Sequence, residues 1–171
     1  MKVTGYQLRE AIKMKHSEVA ILNSQYEETL YAFDGDKKKL PHELIYEISK
    51  LEAEIALLQT AQSWYNVNVK IHFNGREMLL ENAVKLVGGI SRCGAMWRIA
   101  AEGTKRDRYT SYAESRVRKK DEEVAQLTVD KEFALSGVKQ AAKEGSALRG
   151  LISSANNNSI EIEFIDEKLL S

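Results

Sequence analysis

Leu44, Ile48, Leu51, Ile55, Leu58, Gln62, Tyr65 and Val69 alternate in steps of four and three. A seven-residue repeat of this kind keeps one stripe of a helix facing one partner, as in a coiled coil. A strand, with its period of two, cannot use it. The residues before it carry a weaker version. Ile12, Val19, Tyr26 and Phe33 recur every seven positions, and Leu8, Lys15, Leu22 and Thr29 fill the second seam position. Thr4 followed by Gln7 is a capping-box pattern, in which side chains satisfy the first backbone N–H groups of a helix. A stop is expected near Asp34-Gly35-Asp36, because glycine readily takes the left-handed conformation that ends helices. Pro41, the one proline of the chain, suits the first turn of a second helix. The short connection predicts a helical hairpin over 4–68, two antiparallel helices of roughly 40 Å each.

The period then changes. Val67, Val69, Ile71 and Phe73 alternate with polar residues, and Asn74-Gly75 is a strong hairpin signal, so a β hairpin is expected over 67–78. A helix over 78–103 follows, with Leu80, Val84, Val87, Ile90, Cys93 or Gly94, and Trp97 as its apolar face and Gly103 as its cap. Residues 104–120 read as a basic loop, and Val124–Val129 as a strand or the lead-in to a helix. Asp130 is the expected N-cap of a last helix over 130–156. Its seams are Val138, Gly145 and Ile152, and Ala134, Ala141, Leu148 and Ala155; such small residues let helices approach closely. A strand over 160–165 ends the pattern. Ile160-Glu161-Ile162-Glu163-Phe164 echoes Val69-Lys70-Ile71-His72-Phe73 with complementary charge, which predicts that the two strands share a sheet. The fold class is mainly α, long antiparallel helices with coiled-coil-like heptad packing plus a small β element, in a single helical domain over 1–171.

The 25 basic and 25 acidic residues cancel. Nucleic-acid and anionic-membrane binders usually carry a global basic excess, so nucleic acid is not expected as a partner and any electrostatic site must be local. Cys93 stands alone, which excludes an intramolecular disulfide and favours a reducing compartment. The first residues lack the apolar core of a signal peptide, and no apolar run approaches the roughly 20 residues of a membrane span. A cytoplasmic protein without a membrane partner is expected.

His16, His42 and His72 fall in different elements, and none has metal-ligand spacing, so no metal or cofactor is expected. Gly89-Ile90-Ser91-Arg92-Cys93-Gly94 has the outer glycine spacing of a phosphate loop, but Ala95 follows where the chemistry needs Lys and then Ser or Thr. Gly88, Gly89 and Gly94 read instead as places where another backbone comes close. Cys93 has no base near it in sequence and reads as a packing residue, as do Trp64 and Trp97. The region with a clear charge bias is 104–120. Arg106, Arg108 and Arg116 are interleaved with Tyr109 and Tyr112; guanidinium forks match phosphates and carboxylates, and tyrosine rings stack on bases. These five residues are the candidate ligand-binding site, weighed against a solvated loop that pairs with acidic faces.

The order of parts resembles a family of small bacterial proteins known as septicolysin. The residues that carry the resemblance are Asn66-Val67-Asn68, Asn74-Gly75-Arg76-Glu77-Met78-Leu79, Arg106-Asp107-Arg108-Tyr109 and Thr128-Val129-Asp130, and the layout spans nearly the whole chain. The resemblance implies this helical fold and self-association, and the family name implies a cytolysin. A lysin fits the residues poorly, since no helix has a strongly basic polar face opposite an apolar one. The expected function is a non-enzymatic, self-associating helical binding or scaffold protein, with a homo-oligomer as its working form. The alternative is an oligomer that sequesters a small anionic ligand such as a signalling nucleotide, a device that would serve a phage against host defence.

Overall fold

The computed structural model describes residues 1–31, 39–103 and 128–170, together with the backbone of 106–107 and 124–125. In chain order the elements are β1 (Lys2–Thr4), α1 (Gly5–Thr29), α2 (Pro41–Asn68), β2 (Lys70–Phe73), β3 (Arg76–Leu79), α3 (Leu80–Glu102), β4 (Arg106–Asp107), β5 (Val124–Ala125), α4 (Lys131–Ala155), β6 (Ser159–Glu161) and a 3-10 turn at Glu167–Leu169. The fold is mainly helical, with β1–β6, β2–β3 and β4–β5 each forming a two-stranded antiparallel sheet. The chain divides into two compact units, Met1–Ala83 with Leu151–Ser171, and Val84–Gly150.

Helix starts obey the local signals. Thr4 N–H donates to Gln7 Oε1 at 2.9 Å and Gln7 N–H donates to Thr4 Oγ1 at 3.2 Å, the reciprocal capping box. Pro41 opens α2, and Glu43 reaches back to accept from Leu40 N–H at 2.9 Å. Asp130 caps α4 by accepting from Phe133 N–H at 3.0 Å. The first helix is shorter than its pattern predicts: α1 ends at Thr29, ahead of the Asp34-Gly35-Asp36 stop. Phe33 and that stop lie outside the described residues.

In the first unit Val3, Leu8, Leu44, Leu58, Tyr65, Leu80 and Ile162 are fully buried. The stripes of both helices are legible in the burial. Leu8, Lys15 and Val19 are buried and Ile12, Leu22 and Tyr26 half-buried; Leu44, Ile55, Leu58, Tyr65 and Val69 are buried and Ile48, Leu51 and Gln62 half-buried. Each fully covered leucine contributes about 1.5–3 kcal/mol over an exposed one. Lys15, which weakens the apolar seam, pairs with Glu54 at 3.1 Å. Taking both ions out of water costs about as much as their attraction returns, so the pair fixes which residues face each other more than it adds stability.

The β elements correct the sequence reading. The strands around 69–73 and 160–164 do not share a sheet. Asn74 and Gly75 both take positive φ, +49° and +74°, and turn β2 directly onto β3 with Phe73 opposite Arg76. A two-residue turn closes a far smaller loop than a pairing 90 residues away, so the local partner wins. The hairpin begins at Lys70 rather than at 67, since α2 continues through Asn68 and leaves Val67 exposed on the helix. The third helix accordingly starts at Leu80. Lys70 and His72 therefore face Glu77 of their own hairpin, at 2.8 and 3.8 Å, rather than the glutamates near the end of the chain. The hydrogen bond and charge of Lys70 hold the exposed Glu77 carboxyl below the usual range.

The strand near 160 pairs instead with β1, three residues too short to show a period. Lys2 lies opposite Glu161, Val3 opposite Ile160 and Thr4 opposite Ser159. The Met1 amino group donates to Ile162 O at 2.6 Å, and Ile162 N–H returns a bond to Met1 O at 2.8 Å. Regular pairing ends at Glu161, and Phe164 is exposed.

Where α1 begins and α4 ends, the chain closes on Tyr65. This side chain is fully buried, and its hydroxyl lies 2.8 Å from Ala155 O and 2.7 Å from Asn158 O. It also accepts from the backbone of Gly5. A side chain at position 5 would run into Asn156 Oδ1 and the Tyr65 ring, so glycine is required there for space. Burial disfavours the phenolate and raises the Tyr65 pKa, with the Gly5 N–H partly offsetting it. The neutral phenol is thus the form the fold prefers. Its contribution is complete below the ordinary value of 10.0 and is lost as pH rises through the higher folded value.

Tyr65→Phe removes the hydroxyl donor from Asn158 O and leaves Ala155 O with its Asn158 N–H bond alone, and urea unfolding should show a loss of about 1–3 kcal/mol. In alkaline absorbance titration of the seven tyrosines, the substitution should delete a late-titrating one. A stability change below about 0.5 kcal/mol would show that the hydroxyl is not a tie. Lys15→Ala should destabilise by about 1–3 kcal/mol because Glu54 loses its cation, whereas Lys15→Met with Glu54→Leu should come within about 1 kcal/mol of the parent or exceed it. A double variant as unstable as the single one would contradict this account.

Candidate functional site

The basic-aromatic stretch chosen from the sequence falls largely outside the described residues. Arg108, Tyr109, Tyr112 and Arg116 lie outside the described residues, and Arg106 is described through its backbone alone, paired with Ala125. Within the stretch read as a loop, Arg106–Asp107 is extended and pairs with Val124–Ala125. His16, His42 and His72 are all exposed, and among the described residues no three His, Cys, Asp or Glu side chains are placed to hold a metal ion. No described helix is long and apolar enough to cross a membrane.

Two broad grooves flank the α1–α2 seam. One, of about 730 Å³, is lined by Arg9, Lys13, His16 and Gln62, but Glu10 already takes Lys13 at 3.6 Å. Gln62 Oε1 is buried here without a hydrogen-bond partner, while its amide nitrogen donates to Asn66 Oδ1 at 3.2 Å. An acceptor of this kind calls for a donor, not for an anion. The other groove, of about 430 Å³, gathers Glu18, Glu47 and Glu54 with Lys15 and Lys50, so its charges are mixed with a slight acidic excess.

The second unit differs in both packing and charge. Its helices meet through small residues. A Cβ on Gly94 would lie 3.2 Å from that of Ala141, and one on Gly137 would lie 2.6–2.9 Å from the Trp97 indole. The close approach expected from the glycines is therefore made at Gly94. Among the described residues a Cβ on Gly89 would meet nothing within 4 Å, and one on Gly88 only the Arg92 side chain of its own helix. Trp97 is half-buried and crosses Phe133 edge-on, with centroids 5.6 Å apart and planes at 81°. Trp64 is exposed, against the expectation of a core residue. So are Val84 and Cys93, because the buried side of α3 runs through Val87, Ile90, Gly94, Trp97 and Ala101, which turns them to its flanks.

Beside this seam lies a cleft of about 250 Å³. Gly94, Ala95, Ala141 and Ala142 are among its lining residues, and Ile90 and Val138 border it. Its polar residues are Ser91, Arg98 and Arg149, with no carboxylate among them. Arg149 Nη2 donates to Ser91 Oγ at 3.1 Å, which holds one guanidinium in place. Among the described residues Arg98 has neither a hydrogen-bonding nor an ionic partner. The cleft's charged lining among the described residues is wholly basic, whereas the two grooves beside the α1–α2 seam mix acids and bases. Sequence reasoning passed over it because its two arginines stand 51 positions apart, alone amid ordinary helix faces. On the opposite flank a groove of about 550 Å³ is bordered by Cys93, Trp97, Gly137 and Glu144.

The class defined by these features is a mainly helical protein of two compact units, one of them carrying a small cationic cleft. No family model and no curated protein matches the chain. It is similar to a solved structure, the crystal structure of a functionally unknown conserved protein from Corynebacterium diphtheriae, with a TM-score of 0.69 and 18% sequence identity over 94% of this chain and 100% of that one. At that identity the likeness shows a shared fold and nothing further.

The exposure of Cys93 has a chemical consequence. In the native protein it should react with an aromatic disulfide reagent within about tenfold of the rate of a free thiol. Protection that disappears only on unfolding would mean that the thiol is covered.

Proposed function

We propose that this chain is a non-enzymatic, self-associating helical binding protein whose contact surface is the outer side of α3. The observation that carries this reading is the hydrophobic inventory of the second unit. Its described residues bury Ala101, Ala134 and Leu148 as apolar core, while Val84, Leu86, Met96, Ile99, Phe133 and Leu135 are exposed, Met96 and Ile99 at 70% each. Val84, Gly88 and Ile99 stand at helical spacing on the side of α3 away from Trp97. Glycine inside a helix costs roughly 1 kcal/mol relative to alanine. Gly88 and Gly89 bear that cost without a close neighbour from elsewhere among the described residues. A second copy of α3 is the occupant that fits. A two-fold contact brings the same stripe from each side, and the glycine lets the backbones approach.

The same reading takes α1 and α2 as an antiparallel, heptad-packed pair. Gly5 against Tyr65, Lys15 against Glu54, and Ile21 and Leu22 sharing a groove with Glu47 and Leu51 progress in opposite directions along the two helices, which supports it. The lone, exposed Cys93 fits a reducing compartment such as the cytoplasm. The likeness in order of parts to the septicolysin-named proteins is consistent with self-association and adds no lytic chemistry.

Sedimentation of the full chain at about 100 μM should give a defined oligomer, and Met96→Asp with Ile99→Asp should weaken association by about tenfold or more with helix content unchanged. A monomer at that concentration, or an oligomer indifferent to both substitutions, would remove α3 as the contact.

A further inference from the structure

The cleft between α3 and α4 is built for charge that nothing described in the protein supplies. Arg98 and Arg149 each bring a guanidinium to it, and arginine as a side chain is cationic at physiological pH. Both border the same 250 Å³ space, and among the described residues no acid lines it. Like charges gathered over a low-dielectric surface repel each other and raise the local affinity for an anion. The pair is also held apart. Arg149 is fastened to Ser91, and Ser91 and Arg98 are seven residues apart on α3, about 10 Å along the helix axis. The two guanidinium anchorages therefore stand near opposite ends of a floor of Gly94, Ala95, Ala141 and Ala142.

We propose that this cleft binds a small organic phosphate with an anionic group at each end, its body lying on the alanine-glycine floor. Arg98, free of partners among the described residues, takes one phosphate with its planar fork. Arg149, set by Ser91, takes the other. A phosphate monoester carries about −1.5 to −2 charges near neutral pH, which matches a guanidinium better than a single carboxylate does. The volume falls below the roughly 300–1,000 Å³ of sites for drug-sized molecules, so the ligand is sugar-phosphate-sized or smaller. Small side chains on the floor leave room for that body; larger ones would fill it. The site lies within one chain and does not depend on self-association.

Calorimetric titration of the full-length protein tests this, with fructose 1,6-bisphosphate, inorganic phosphate and succinate as probes. The bisphosphate should bind once per chain and about tenfold or more tighter than either of the others. Arg98→Gln and Arg149→Gln should each weaken it by about tenfold or more, and raised salt should weaken it further. Ala142→Leu, which fills the floor and leaves both charges, should abolish it. Circular dichroism and sedimentation identical to the parent verify that these surface variants fold. The Met96→Asp, Ile99→Asp variant should bind the bisphosphate as the parent does, which separates failure of this site from failure of the association reading. The proposal is overturned if the bisphosphate shows no saturable binding up to about 10 mM. It is overturned equally if both arginine variants bind like the parent, or if inorganic phosphate or succinate binds as tightly as the bisphosphate.

Discussion

The buried hydroxyl of Tyr65 is the tie on which the first unit depends. Gly5, Ala155 and Asn158 come from the start of α1, the end of α4 and the turn beyond it, and each presents a backbone polar group to this one atom. Unpaired in an apolar interior, such groups would cost several kcal/mol together. Satisfied by one phenol, they allow helix ends to be buried instead of frayed. The short β1–β6 ladder continues the same joint. Val3 and Ile162 seal it from water, and Asn156 occupies the space that the missing side chain of Gly5 leaves. Distant parts of the chain are thus fastened at one corner, and the long stripes of α1 and α2 extend from there.

The second unit follows a different physical logic. Its helices approach through glycine and alanine, which brings backbones close but removes little apolar area from water. The large side chains that could have formed a core are left outside, and Trp97 is secured mainly by its fit against Gly137 and Phe133. Two helices so joined gain little from each other alone. The same small residues that limit burial leave a recess beside the seam, and the arginines at its margin make the recess cationic. Weak internal burial, an apolar outer side and a charged recess are consequences of one choice of residue size.

The heptad stripes were legible because a helix repeats its environment every 3.6 residues, so burial is written along the sequence. Thr4 with Gln7, Pro41, Asp130 and Asn74-Gly75 were legible for a related reason: each acts on backbone groups within three or four positions of itself. Other features had no such signature. β1 is three residues long, and its partner lies more than 150 positions away. The resemblance between 69–73 and 160–164 suggested a shared sheet, but alternation and charge specify only what a strand would accept. Which partner it finds depends on loop closure and on the turn beside it. Cys93 and Val84 fell on the expected apolar side of α3 because a single-sequence stripe cannot tell the centre of a face from its edge.

Sequence by itself determined where most helices begin, which residues line their stripes, where the hairpin turns and that charge is balanced overall. These follow from short-range hydrogen bonding and helical periodicity, which need no knowledge of the rest of the chain. Only the tertiary structure decided that β1 pairs with β6, that Tyr65 gathers three backbone partners and that Arg98 and Arg149 border one cleft with no acid among its described lining. Those depend on distances between residues tens of positions apart. Such distances are set by which faces find each other when apolar area is withdrawn from water, a property of the whole fold.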